Sequence, residues 1–262
     1  MRKSLLLLAV IGTLGSQAVY AEEAAAPAAA AAETPAYTLA YNVGLYSQYI
    51  FRGLTQTAGH PAIQGGVDYT HSSGFYLGTW ASNISWTEDE HLFKNSSLEL
   101  DLYGGYRGAL KDVSYDVGLL QYVYPGTPIP NKGQIRAETT EVYGSLGYKW
   151  VTAKVSVVAS NGLFGTPKAS GSYYADLTAN YPVTDTITAT AHVGRQEYNI
   201  SGTDNLSYTD WKLGLAKAFA NGVTVGGYYT DTNGKAAGYG GSVYDGGNIA
   251  SAAGTVFVSK TF

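Results

Sequence analysis

Twelve stretches of this chain alternate apolar and polar residues with a period of two, the repeat of a strand and not of a helix. Leu98, Leu100, Leu102, Gly104 and Tyr106 interleave with Glu99, Asp101, Tyr103, Gly105 and Arg107. Val142, Gly144, Leu146, Tyr148 and Trp150 do the same against Glu141, Tyr143, Ser145, Gly147 and Lys149. The runs begin near Tyr37, Pro61, Phe75, Leu98, Val113, Glu141, Thr152, Ser172, Thr186, Tyr208, Val223 and Ile249. Their connections alternate in length. Short links fall at His71 to Gly74, Gly108 to Asp112, Trp150 to Val151, Pro182 to Asp185 and Ala218 to Gly222, with longer ones between. Short links at one end and long ones at the other describe an up-and-down meander.

An alternating strand needs a destination for its apolar face. In a soluble sandwich that face is interior; in an outer-membrane barrel it meets lipid, and the polar face lines the lumen. Aromatic placement favours the barrel. Tyr37, Tyr69, Tyr106, Tyr148, Trp150, Tyr181, Phe219 and Phe262 all fall on the apolar parity at the short-link end, where an interfacial girdle belongs. Hydrocarbon supplies no hydrogen bonds, so an open sheet would leave two edges unsatisfied and closure is required. No apolar run is long enough for a spanning helix. The sequence thus predicts an all-β chain forming a single 12-stranded antiparallel up-and-down transmembrane β-barrel over residues 37–262.

The N-terminus reads separately. Arg2 and Lys3 precede an apolar stretch from Leu5 to Leu14, and Val19 and Ala21 occupy the small-residue positions of a cleavage site, so residues 1–21 are expected to be a cleaved secretory signal. Residues 22–36, mostly Ala with Pro27, Pro35 and three glutamates, have no amphipathic face to dock and are expected to be a periplasmic spacer. There is no cysteine, which excludes disulfides, thiolate metal sites, cysteine catalysis and a lipoprotein anchor. The 16 basic residues less Arg2 and Lys3, set against 20 acidic ones, leave the mature chain at −6, a poor match to nucleic acid. The last strand ends in Phe262, and a terminal aromatic resembles the signal that outer-membrane barrel assembly machinery recognises, although Lys260 departs from that pattern. Assembly machinery, periplasmic chaperones, outer-membrane lipid and lipopolysaccharide are accordingly the expected partners, with small solutes as cargo.

The segments Tyr49-Ile50-Phe51-Arg52-Gly53, Gln56-Thr57, Pro61 to Tyr69 and Ser73 to Asn83 resemble the opening signature of the TorF family of putative porins. The resemblance covers about fifty residues at the start of the barrel and elsewhere amounts to barrel pattern and length. It implies a Gram-negative outer-membrane barrel and brings no substrate.

Inward parity collects Asp68, Glu99, Asp101, Asp116, Glu141, Asp176, Asp210 and Lys212, with Arg107, Lys149 and Lys154 nearer the short-link end. Barrels of about eight strands are filled by side chains and those of about sixteen hold aqueous channels, so twelve leave a narrow path at most. Two readings stay open for these charges: they tune ion selectivity, or they pair between strands and plug the lumen. Arg52, placed at the upper end of the first strand, either contacts solutes or braces loops against a carboxylate. Recurrent glycines such as Gly104-Gly105 are read as room for bends or for neighbouring tyrosines. Catalytic motifs are absent: His60, His71, His91 and His192 have no zinc spacing, and no cofactor loop or nucleophile elbow occurs. The acidic Glu88-Asp89-Glu90-His91 loop is either simply solvated or a place for divalent ions bridging lipopolysaccharide. The chain is therefore expected to be a diffusion porin, with a closed barrel used for structure or loop-mediated adhesion as the alternative.

Overall fold

The computed structural model describes residues 36–130, 136–200, 206–240 and 247–262. The expected signal and nearly all of the spacer lie outside the described residues. Within them the alternation becomes twelve barrel strands: β1 (Tyr37–Tyr46), β2 (Ala62–His71), β3 (Phe75–Asn83), β4 (Leu98–Leu110), β5 (Val113–Val123), β6 (Thr139–Tyr148), β7 (Val151–Val158), β8 (Tyr173–Pro182), β9 (Ile187–Glu197), β10 (Tyr208–Ala218), β11 (Val223–Thr232) and β12 (Ala253–Thr261). Each pairs antiparallel with its sequence neighbour. The sheet closes where Asn42 to Tyr46 of β1 register against Thr261 to Phe257 of β12. Closure leaves no edge strand, as hydrocarbon demands.

Parity sorts the side chains. Leu77, Leu119, Leu146, Leu213 and Val256 face outward and are more than half exposed, which in water would be costly and in lipid is the favourable arrangement. At the short-turn end Tyr37 stacks on Tyr69 with ring centroids 5.6 Å apart, Phe75 meets Tyr106 at 5.1 Å and Trp150 meets Tyr181 at 5.6 Å. These pairs form the expected girdle, since each ring is apolar in body with a polar or positive edge for the interface.

Two details differ from the sequence reading. The last strand starts at Ala253 and not near Ile249, because Ile249 and Ala250 are buried against Tyr208 and Tyr239 in a cluster under the long loops. Lys149 does not line the lumen. It sits at the tip of the β6–β7 turn with φ +54 and is exposed, its Nζ 5.3 Å from the Tyr148 ring, so the turn ends the alternation one residue before parity would carry Lys149 inward.

The two-faced wall gives a direct test. Leu213→Arg, in the middle of β10 on the lipid side, should destabilise the barrel by about 2–4 kcal/mol. Lys212→Gln, one residue away on the lumen side, should cost less than half as much. Urea unfolding in lipid vesicles, followed by tryptophan fluorescence, measures both.

Candidate functional site

The long loops fold into the barrel mouth instead of standing clear of it. After β1 the chain turns back in a small hairpin, Ile50–Phe51 against Leu54–Thr55, and after β7 in a second, Gly162–Leu163 against Thr166–Pro167. Each has a two-residue tip with positive φ at both positions: Arg52 (+48) and Gly53 (+80), Phe164 (+48) and Gly165 (+87). Two-residue turns of type I′ require that geometry, and glycine supplies it without strain at the second position. At Gly53 space also matters, since a Cβ there would lie 2.5 Å from Thr232 Cγ2 and 2.6 Å from Asp210 Cβ. The tip is pressed against the β10–β11 wall. The two hairpins meet, with Phe51 edge-on to Phe164 at 5.8 Å and both rings against Tyr122.

This insertion moves Arg52 from the strand-end position expected for it to the middle of the mouth. Its two terminal nitrogens donate to Glu141 on β6, Nη2 to Oε2 at 2.7 Å and Nη1 to Oε1 at 2.9 Å. Nη1 also donates to Gln196 Oε1 on β9 at 3.0 Å. The guanidinium lies 4.4 Å from the Tyr174 ring centre and 4.8 Å from that of Phe51. Both side chains of the ion pair are buried, at 7% and 0% exposure. Burial alone would disfavour the Arg52 charge, but Glu141 outweighs it and raises the pKa above the ordinary arginine value. One loop residue thus ties β1 and β2 to β6 and β9 across the opening.

Around this tie the wall carboxylates are held mostly by tyrosines. Tyr49 Oη donates to Glu99 Oε1 at 2.7 Å and Tyr124 Oη to Oε2 at 3.0 Å. Burial pushes the Tyr49 phenol well up, so it stays a donor. Asp68 accepts from Tyr103 at 2.7 Å, and Asp116 from Tyr76 at 2.6 Å, the Tyr76 hydroxyl also touching that of Tyr143. Asp210 accepts from Tyr174 at 2.8 Å. These phenols reach over glycines: a Cβ on Gly118 would lie 2.7 Å from Tyr143 Cζ, and one on Gly105 2.7 Å from Tyr76 Oη. Glycine on the inward parity is therefore the floor under tyrosine.

The cations take other places. Arg107 Nη2 donates to Thr70 at 2.5 Å with its guanidinium 4.5 Å from the Tyr76 ring centre. Lys154 and Lys212 lie over Tyr143 and Tyr228, at 4.2 Å and 5.2 Å. His192 joins Asp176 and Asp210: its Nε2 is 3.1 Å from Asp210 Oδ2 and 2.9 Å from Tyr174 Oη, and its Nδ1 is 2.7 Å from Thr178 Oγ1. No serine is among these partners. Asp101 is fully buried, and neither carboxylate oxygen is hydrogen-bonded among the described residues. Of the inward residues named from sequence, only Lys149 falls outside the lumen. Sequence reasoning missed the inserted hairpins and the tyrosine donors, for which Arg52-Gly53, Phe164-Gly165 and tyrosines on the polar parity were the available signals.

Above the Arg52 tie an aromatic vestibule opens toward the loops. It encloses about 930 Å³ counting its open mouth, and Phe51, Trp86, Tyr124, Phe164, Tyr198 and Tyr239 line it. Burial pushes the Tyr198 phenol up to about 12. Trp86 comes from a single helical turn, Trp86–Asp89, which leaves Glu88 and His91 of the acidic loop exposed.

The family model of Gcw_chp, described as "bacterial protein of unknown function", matches residues 29–262. The chain belongs to this family. No curated protein matches it in sequence. Among solved structures, the barrel is similar to the KdgM porin, with a TM-score of 0.51 at 7% identity over 86% of this chain and 98% of that one. The NanC porin gives 0.49 at 12% identity over 85% and 98%, and OccAB2 of Acinetobacter baumannii 0.41 at 11% over 88% and 66%. The likeness to the KdgM porin gives the Gcw_chp chain a porin-type barrel fold. Identity this low carries the fold and no cargo. These findings do not confirm the TorF name; what that resemblance shares with them is the porin-type barrel.

The Arg52 tie has a measurable weight. Arg52→Ala leaves Glu141 buried without its partner and should destabilise the folded barrel by about 3–5 kcal/mol, whereas Arg52→Met with Glu141→Leu should recover most of the loss. Thermal unfolding of the single and double variants in detergent measures the difference.

Proposed function

We propose that this protein is a porin-like channel through which small hydrophilic solutes or ions diffuse passively across an outer membrane, narrowed at its mouth by the Arg52 hairpin. The observation that carries this reading is the inside-out wall: leucines and valines face lipid while acidic, basic or imidazole side chains from eight of the twelve strands face the lumen. An interior kept only for stability would be served better by apolar packing, because isolated buried charges are costly. The vestibule then serves as the entry, and the tie between Arg52 and Glu141 as the constriction.

The same reading takes residues 1–21 as the export signal, residues 22–36 as a periplasmic spacer, and Phe262, exposed at the end of the chain, as a contact for the assembly machinery. Lipid and lipopolysaccharide surround the apolar band. No catalytic chemistry is assigned. The closed-barrel alternative draws support from the depth of the hairpin, which packs with Phe164 and Tyr122 into one aromatic cluster.

Planar bilayers separate the two. A channel gives discrete conductance steps with the refolded wild-type protein, and Arg52→Ala enlarges them. A closed barrel gives none until Arg52 is removed, and liposome swelling with small sugars follows the same pattern.

A further inference from the structure

The lumen charges are not spread evenly. On β5 to β10 each carboxylate has a cationic or imidazole neighbour: Glu141 binds Arg52, Asp116 lies in the field of Lys154 and Arg107, and Asp176 and Asp210 flank His192 with Lys212 nearby. The wall formed by β2 to β4 has Arg107 at its short-turn end, bonded to Thr70, but its carboxylates are held otherwise. Among the described residues, Asp68 is held by hydrogen bond only by Tyr103, and Glu99 only by Tyr49 and Tyr124. No salt bridge among the described residues reaches either one.

Asp101 stands between them on the same wall. Leu100 and Leu102 flank it on the lipid side, so its carboxylate points inward, and it is 0% exposed. Neither Oδ1 nor Oδ2 has a hydrogen-bond partner among the described residues. Arg52 lies within electrostatic range, but its Nη1 and Nη2 are already bonded to Glu141. A buried carboxylate with no donor is expensive, and native structures resolve such groups with an ion, a water or a proton. Seven inward carboxylates, those of Asp68, Glu99, Asp101, Asp116, Glu141, Asp176 and Asp210, also outnumber the four inward cations Arg52, Arg107, Lys154 and Lys212.

We propose that the lumen is cation-selective, and that the Asp68, Glu99 and Asp101 wall is where a small cation, an alkali-metal ion or a primary ammonium, dwells as it passes. This rests on the channel reading above and gives it a substrate class. No group of three or more metal-ligating side chains is gathered among the described residues. Conduction requires no cage, since an ion must be able to leave as well as enter.

The test is the reversal potential of the refolded full chain in a planar bilayer under a potassium chloride gradient. The expected result is permeability to potassium above chloride, falling about threefold in Asp101→Asn, the size of effect that one charge several ångströms from the passing ion produces in water. Asp68→Asn gives a second, independent reading should Asp101→Asn fail to regain the heat-modifiable gel mobility of a folded barrel, and it should lower the ratio in the same direction. Conductance that favours chloride or neither ion overturns cation selectivity and leaves the channel standing. A wild-type preference for potassium that neither variant changes removes the wall from the mechanism. Absence of any conductance overturns the channel and this inference together.

Discussion

A backbone amide in hydrocarbon has nothing to bond except another backbone, and the whole structure follows from that constraint. Each unpaired group would cost several kcal/mol, so the sheet is stable only without edges. The seam between β1 and β12 is where the chain meets the requirement, and it joins the first and last strands of the barrel. Closure cannot be completed until the last strand is in place. Once the sheet is closed, the period-two alternation leaves a residue no choice: along each strand one set of alternate positions meets acyl chains and the other meets whatever the lumen contains.

The lumen then has its own difficulty. Twelve strands enclose a space too wide for one layer of small side chains and too narrow to be simply water-filled, and the polar face brings carboxylates into it. The solution repeats along the wall. A tyrosine on one strand leans over a glycine on the next and donates to an acid beyond, as Tyr76 does over Gly105 to Asp116 and Tyr174 does over Gly194 to Asp210. The abundance of tyrosine and glycine, which from composition alone means only strands and turns, is a lumen-filling device. Tyrosine suits it because a large apolar ring fills volume while a single hydroxyl satisfies a carboxylate at the far end.

How much of this was legible beforehand depends on whether a feature is periodic. The strand positions, the girdle at Tyr37, Tyr148, Trp150 and Tyr181, and the inward direction of Asp68, Glu99 and Asp101 all follow from parity, which survives folding because a strand cannot rotate one face without rotating the other. Lys149 was misplaced because parity stops at a turn, where φ +54 redirects the side chain. Arg52 was assigned to the end of the first strand for a related reason. Extending the alternation past Tyr46 ignores that Arg52-Gly53 and Phe164-Gly165 can form two-residue tips. A loop that folds back inside a barrel also has no periodic signature of its own. The pairing of Arg52 with Glu141 joins residues far apart in sequence, and nothing local announces it.

The use of arginine at that tip carries meaning beyond stability. A bidentate ion pair buried in a cluster containing Phe51, Tyr122 and Phe164 contributes little net free energy over an apolar replacement, because desolvation offsets much of the attraction. The left-handed backbone at Arg52 adds a strain of about 1–3 kcal/mol. What the pair does supply is position: two parallel hydrogen bonds to Glu141 and a third to Gln196 fix the hairpin at one depth and one angle, where an apolar tip would slide. A fixed depth holds the hairpin tip at one place in the barrel mouth. The buried charge of Arg52 thus serves to place the hairpin more than to stabilise it.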